Sequence, residues 1–428
     1  MDFDTENAHA LYHDTARPAP AAVRLDGDRR VSVAIIGAGF TGLSAALHLA
    51  EAGVDVAVLE AREPGWGASG RNGGQVNPGL KWEPDQIEAA FGPELGGRMA
   101  ALGAGAPDLV FALVERLGIA CEAHRGGTLR AAVNAASERS VRASAEQWAR
   151  RGAPVAWLDG PACARITGTG AYRGASLDRR GGSLNPLGYA RGLAEAAVKA
   201  GAAIYSRSGV ETLRREDKGW VLSTASGTLR AEHVLIGTNG YSDGLWPGLA
   251  RSVAPVFSAI TATEPLPPEV LAAIMPGRPV LYEISARYAY YRLDAHGRFL
   301  MGGRSALRAS TAPADYRPLV EHAERLFPAL AGRRWSHAWN GRVAVTADHL
   351  PHLHEPAPGL HIGLGYNGRG VAMATAMGRL LARRVLGARD DELDLPVTGI
   401  KPMPFHAFWP LGVRLRLAYG TLMERLGF

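Results

Sequence analysis

Between residues 31 and 60 the spacing of apolar positions changes twice. A short apolar run, Val33, Ala34, Ile35 and Ile36, leads into Gly37-Ala38-Gly39-Phe40-Thr41-Gly42. Leu43, Ala46, Leu47, Leu49 and Ala50 then recur at helical spacing until Gly53, and a second apolar run over 54–59 is closed by Glu60. The pattern predicts strand, glycine turn, helix and strand. Further along, 84–118, 137–151 and 186–200 read as helices, the last starting after Asn185. Strands are predicted at 203–206, 209–215, 219–224 and 232–238. Between about 250 and 310 the rhythm becomes one of short alternating segments split by Pro and Gly, at 253–263, 280–284, 288–293 and 299–302, which predicts an antiparallel sheet. At 360–365 a strand runs into a second glycine turn, and a helix follows over 369–386.

These elements predict an α/β chain (α+β overall), with a Rossmann-type nucleotide domain interrupted by a second, antiparallel-sheet domain. The expected limits are an arm over 1–30, a discontinuous nucleotide domain over 31–83, 150–245 and 336–390, a substrate domain over 84–149 and 246–335, and a tail over 391–428.

The glycines of the first turn have separate tasks. Gly37 allows the tight turn off the strand, Gly39 leaves room for a pyrophosphate at the helix N-terminus, and Gly42 lets helix and strand pack closely. The unpaired N–H groups of the first helical turn, at Phe40 and Thr41, are suited to phosphate oxygens. Glu60 follows Gly42 by 18 residues, the place of an acid that accepts hydrogen bonds from a ribose, with Ala61 and Arg62 beside it.

Composition narrows the class. A chain of 428 residues with 47% hydrophobic and 21% charged content is long enough for two globular cores. No uninterrupted apolar run of membrane-spanning length is evident, and the acidic N-terminal residues lack a basic-then-apolar pattern, so no secretory signal is expected. Cys121 and Cys163, the two cysteines, form neither a metal motif nor a disulfide framework, which fits a reducing cytoplasm. The net charge of +6 is scattered rather than interleaved with aromatics, and no nucleic-acid partner is expected.

Four stretches together resemble the flavin-dependent oxidoreductases of the D-amino acid oxidase superfamily, in particular its gamma-glutamylputrescine oxidase-like branch. They are the first glycine turn with Glu60, the loop Gly67-Ala68-Ser69-Gly70-Arg71-Asn72-Gly73-Gly74-Gln75, the pair Tyr291-Arg292 and Leu300-Met301-Gly302-Gly303, and the turn Gly363-Leu364-Gly365-Tyr366-Asn367-Gly368-Arg369-Gly370. The resemblance implies FAD, held by the first turn, by Ser69, Arg71, Asn72, Gly73, Gly74 and Gln75, and by the 365–370 turn at the flavin's pyrimidine edge. It implies oxidation of a carbon next to an amine nitrogen, with hydrolysis of the resulting imine. A gamma-glutamyl polyamine or a related amine or amino acid is the expected substrate, and oxygen or another acceptor takes the electrons. The alternatives are an amino acid dehydrogenase or deaminase that passes electrons to a carrier, and a flavin protein of RNA modification.

Departures from the resemblance carry information. Sarcosine oxidases of this superfamily bind flavin through a cysteine shortly before the C-terminal turn; residues 340–344 hold none, and the 67–75 loop has no histidine, so FAD is expected to be non-covalent. Ala372 stands near their carboxylate-binding lysine, against a simple N-methyl amino acid. The resemblance places Arg292 on a substrate carboxylate; strand alternation puts Tyr288 and Tyr290 on one face, expected to line an amine pocket, and His349 is a candidate active-site residue. No metal is expected, because the three histidines of 348–354 fall in a segment like the family's TxDxxP loop. The tail, rich in aromatics and arginines, is expected to pack on the protein or at a dimer seam rather than to touch a membrane.

Overall fold

The computed structural model describes residues 10–285 and 288–425; residues 1–9 of the expected arm and 426–428 of the tail lie outside the described residues. Strand Gly27–Ile36 pairs in parallel with Gly227–Ile236 on one side and Val56–Leu59 on the other. Neighbours on both edges and both faces account for the continuous apolar run from Val33 to Ile36. Ala203–Tyr205 extends the sheet beyond Val56–Leu59, and Leu360–Leu364, His352–Ala357 and Val397–Thr398 extend it the other way. A hairpin of Thr212–Glu216 and Gly219–Ser223 hangs from Gly227–Ile236 and completes nine strands. Helices Phe40–Glu51, Pro186–Lys199 and Gly370–Val385 pack their apolar sides on one face of this sheet.

The second sheet has eight strands in the order Trp335–Thr346, Val253–Thr263, Phe299–Arg304, Tyr290–Leu293, Val280–Ile284, Thr128–Ala132, Gly174–Asp178, Val155–Asp159. All pairings are antiparallel except that of Val280–Ile284 with Thr128–Ala132. Helix Arg317–Leu326 lies against one face, over a cluster that includes Tyr291, Phe299 and Phe327. The opposite face, with Tyr290 and Ser258, looks toward the first sheet's loops.

Several boundaries differ from those read in the sequence. Val155–Asp159 and Gly174–Asp178 belong to the second sheet, not to the nucleotide domain, because the helix Ala135–Arg150 returns the chain beside Thr128–Ala132. The strand Trp335–Thr346 pairs along its length with Val253–Thr263 and is likewise part of the second sheet. Conversely, helix Pro84–Leu117 packs Ile87, Met99, Val110 and Leu113 into the core of the first domain. This helix is also long and apolar enough by composition to cross a membrane, with 44% of its most apolar window buried in the protein.

The arm is not a loose extension where it is described. Ala10, Leu11 and Tyr12 are buried against Leu187, Leu300 and Trp339, and Leu25 is buried with its N–H donated to the Ser208 hydroxyl, 2.9 Å. Gly27–Arg30 already belongs to the first strand. The tail is a helix, Trp409–Arg425, that exposes Leu411, Leu415, Tyr419 and Leu422.

Candidate functional site

A cavity of about 1260 Å³ lies between the two sheets and takes its lining from both. One wall begins at the first glycine turn. Gly37 has φ of +99°, and a Cβ at Gly42 would stand 2.0 Å from the Gly37 carbonyl oxygen, so the strand–helix contact tolerates no side chain there. Glu60, at the end of Val56–Leu59, accepts hydrogen bonds from the Ala38 and Arg62 N–H groups, 2.8 Å each. Burial pushes its carboxyl pKa up, partly opposed by these backbone donors. The Ser69 hydroxyl accepts the Phe40 N–H at 2.9 Å and so ties the flavin loop to the helix start. Thr41 and Tyr366 share a hydroxyl contact of 2.5 Å, which joins the two glycine turns.

The loop over 67–75 is held by its own side chains. Asn72 donates to the Ala68 and Ser69 carbonyls and accepts from the Gly74 N–H at 2.8 Å. Gln75 donates to the Leu281 and Tyr291 carbonyls at 3.0 and 3.3 Å, and Arg71 donates to the Trp66 carbonyl. The glycine doublet is where the second sheet presses on the loop. A Cβ at Gly73 would be 2.6 Å from the Tyr290 ring, and one at Gly74 would be 2.2 Å from the Leu184 carbonyl and 2.7 Å from the Arg292 guanidinium.

The far wall is the C-terminal turn. Gly365, Asn367 and Gly368 have positive φ. Asn367 accepts from the Thr346 N–H at 3.0 Å and donates to the Gly365 carbonyl at 2.6 Å, and the Gly365 N–H donates to Asn239 at 2.9 Å. The helix Gly370–Val385 that follows has no side-chain cap at its N-terminus, and Gly370 and Val371 line the cavity. Uncapped first-turn N–H groups facing a cavity are an anion site.

These features fit FAD. Glu60 offers the ribose acceptor, the Gly37–Gly42 turn a place for the pyrophosphate, and the open helix start at Gly370 a place for the pyrimidine edge. Cys121 and Cys163 are buried and outside the cavity lining, so no cysteine tethers the cofactor.

The three residues expected on the substrate fall in different places. Tyr290 lines the cavity and shares a hydroxyl contact of 2.9 Å with Ser258. His349 lines it too, half-buried and at φ of +59°; burial, then the charges of Arg416 and Lys81, lower its pKa. Arg292, expected on a substrate carboxylate, lies outside the lining. It is 4% exposed, its Nε donates to the Gly73 carbonyl at 2.7 Å, and Nη2 reaches the Leu184 carbonyl and the Tyr12 hydroxyl at 3.3 and 3.5 Å. The arm and the glycine doublet surround the guanidinium, and its donors engage the flavin loop and the arm. Tyr288, expected to share a face with Tyr290, is exposed at φ of +53° with Arg304 over its ring.

His352 pairs with Asp348 at 3.0 Å and His354 bonds the Thr398 carbonyl. Among the described residues no cluster suited to a metal is present. Residues the sequence reading passed over are Lys81, Trp82, Asn239, Tyr282, Arg304 and Arg342, all in the lining. Lys81 left a legible trace, since it is one of four lysines in an arginine-rich chain and stands six residues after Gln75 of the flavin loop.

Known proteins agree with this geometry. Residues 32–384 match the DAO family of FAD-dependent oxidoreductases. The chain is 35% identical to the probable oxidoreductase OrdL of Rhizobium meliloti, over 96% of this chain and 94% of that one. It is 31% identical to the gamma-glutamylputrescine oxidoreductase of Escherichia coli, over 99% and 100% of the two chains. The crystal structure of glycine oxidase from Geobacillus kaustophilus superposes with a TM-score of 0.72 at 25% identity, covering 83% of this chain and 95% of that one. The chain belongs to the DAO family and is an FAD-dependent enzyme that oxidises amines or amino acids.

Proposed function

We propose that this DAO-family oxidoreductase oxidises the terminal amine of a carboxylate-bearing amine of the gamma-glutamyl polyamine type. The observation that carries the reading is full-length similarity to a relative named for gamma-glutamylputrescine. The shape of the cavity supports it. Besides the flavin loop and the C-terminal turn, the cavity is lined by Tyr290, Tyr288, Tyr282 and Trp82 and by Val413 and Leu417 of the tail helix. Such aromatic and apolar walls suit an aliphatic chain.

FAD supplies the hydride acceptor. The chain's own residues do the rest. The amine must be neutral for its lone pair to assist loss of hydride from the adjacent carbon, and His349 is proposed to take that proton. Its lowered pKa keeps the imidazole unprotonated near neutral pH. Tyr290 and Tyr282 orient the chain, and water hydrolyses the imine product.

The test is reduction of the bound flavin without oxygen, followed by absorbance, using gamma-glutamylputrescine, putrescine, glycine, D-alanine and a 2-hydroxy acid. Gamma-glutamylputrescine should bleach the flavin at the lowest concentration. Bleaching by the 2-hydroxy acid alone would remove the amine reading, and preference for glycine or D-alanine would move the substrate to amino acids. Colour that returns in air assigns oxygen as acceptor; colour that returns only with an added quinone assigns a carrier.

A further inference from the structure

We propose that Lys81, Arg369 and Arg416 form an anion-binding end of the cavity that holds the carboxylate of the substrate. This rests on the amine reading above and assigns the residues that read the acidic end.

The three cations come from three separate segments, the stretch after the flavin loop, the C-terminal turn and the tail helix, and all line the cavity. None of them has a carboxylate partner within 4 Å among the described residues, although many arginines elsewhere in the chain do. The acids at this end are already engaged. Glu83 bonds Arg130 and Ser144, Asp348 bonds His352, and Glu283 bonds His322 and Tyr172. Several positive charges facing one cavity without counter-charge repel one another unless an anion joins them.

Arg369 is fixed for the purpose. Its Nη1 donates to the Pro78 carbonyl and its Nη2 to the Tyr282 hydroxyl at 3.2 Å. Its guanidinium carbon lies 5.7 Å from the centroid of the Tyr282 ring, and its buried Nε has no hydrogen-bond partner. Lys81 presents an exposed side chain to the cavity, yet the protein packed around it, then the charges of Arg369 and Arg130, pull its ammonium pKa down to about 8. It therefore remains charged at neutral pH. Arg416 sits on the exposed tail helix and lines the cavity. The Tyr282 hydroxyl, which accepts from Arg369, adds a polar group to this end.

The experiment uses holoenzyme. Glutarate, a dicarboxylate without an amine, is titrated by calorimetry into wild type, Lys81→Met, Lys81→Arg and Arg416→Gln. In parallel, KM is measured for gamma-glutamylputrescine and for N-acetylputrescine, which keeps the amine and chain but lacks the carboxylate. Lys81→Met should weaken glutarate binding about 10- to 150-fold, the worth of a charge-assisted hydrogen bond. It should raise KM for gamma-glutamylputrescine by a similar factor while KM for N-acetylputrescine moves less than about threefold. Lys81→Arg should retain most of the affinity, and Arg416→Gln, on the surface, should give a smaller loss with the fold intact. Absence of glutarate binding to wild type, or equal affinity in wild type and Lys81→Met, overturns the assignment. If no amine is oxidised but glutarate binding still depends on Lys81, the amine reading fails and the anion site stands.

Discussion

The two walls of the cavity are made on different plans. The nucleotide wall comes from contiguous stretches, and its working parts are mainly backbone: Gly37 to Gly42, the Glu60 corner, and the open start of the helix Gly370–Val385. The substrate wall collects single side chains from distant segments, Lys81, Tyr282, Tyr290, Arg304, His349 and Arg416. The first wall depends on what glycine lacks. The second depends on what each side chain carries, and on whether another segment has already claimed it. Arg292 shows the difference. It is on the same strand as Tyr290, two residues on, but the glycine doublet and the N-terminal arm occupy its guanidinium.

The largest effect should fall on the backbone wall. Gly42→Val places atoms where even a Cβ would be 2.0 Å from a carbonyl oxygen, so the strand–helix contact cannot close. The protein should purify without flavin, or fail to purify, as read by the ratio of visible to ultraviolet absorbance. A yellow, stoichiometric Gly42→Val holoenzyme would break the comparison at its root.

Arg292→Ala comes next. It leaves the Gly73 and Leu184 carbonyls without a buried donor, at a cost of about 1–3 kcal/mol each. The melting temperature should drop, and KM should change by the same factor for gamma-glutamylputrescine and N-acetylputrescine. A loss confined to the carboxylated substrate would return Arg292 to the substrate wall.

A pH series sharpens the assignment of Lys81. Its folded pKa of about 8 lies below the ordinary 10.5, and only the protonated form attracts an anion. Glutarate affinity should be level below about pH 7.5 and fall by up to about tenfold per unit above pH 8, while Lys81→Arg should stay level through that range. The same depression means that the charged lysine costs the empty protein stability below pH 8, and the cost fades as pH rises toward 10.5. Affinity that is flat for wild type would place the charge elsewhere.

The smallest effect belongs to Tyr290→Phe, which removes one hydroxyl contact to Ser258 and keeps the ring against Gly73. About 1 kcal/mol, or roughly fivefold in KM, is expected, with flavin content unchanged. A large loss of turnover would make the hydroxyl a participant in the chemistry rather than part of a wall.

Sequence alone was enough for the Rossmann turn, the acid at the second strand end, FAD and the DAO family. Each of these is written in adjacent residues: a parallel strand buried on both faces leaves a continuous apolar run, and a turn that needs positive φ or close approach leaves glycine. The helix at 84–117 and the stretches 150–178 and 336–346 lie in the other domain from the one their sequence suggests, because a segment's period reports that one side is buried but not which neighbour buries it. The same limit governs the site. Tyr12 reads as part of a polar arm, yet it is buried beside Arg292; Lys81 reads as a surface lysine, yet it lines the cavity near arginines that have no acid to pair with. Tertiary structure decided which charges were neutralised by neighbours and which were left for a ligand, because pairing depends on distances between segments far apart in the chain.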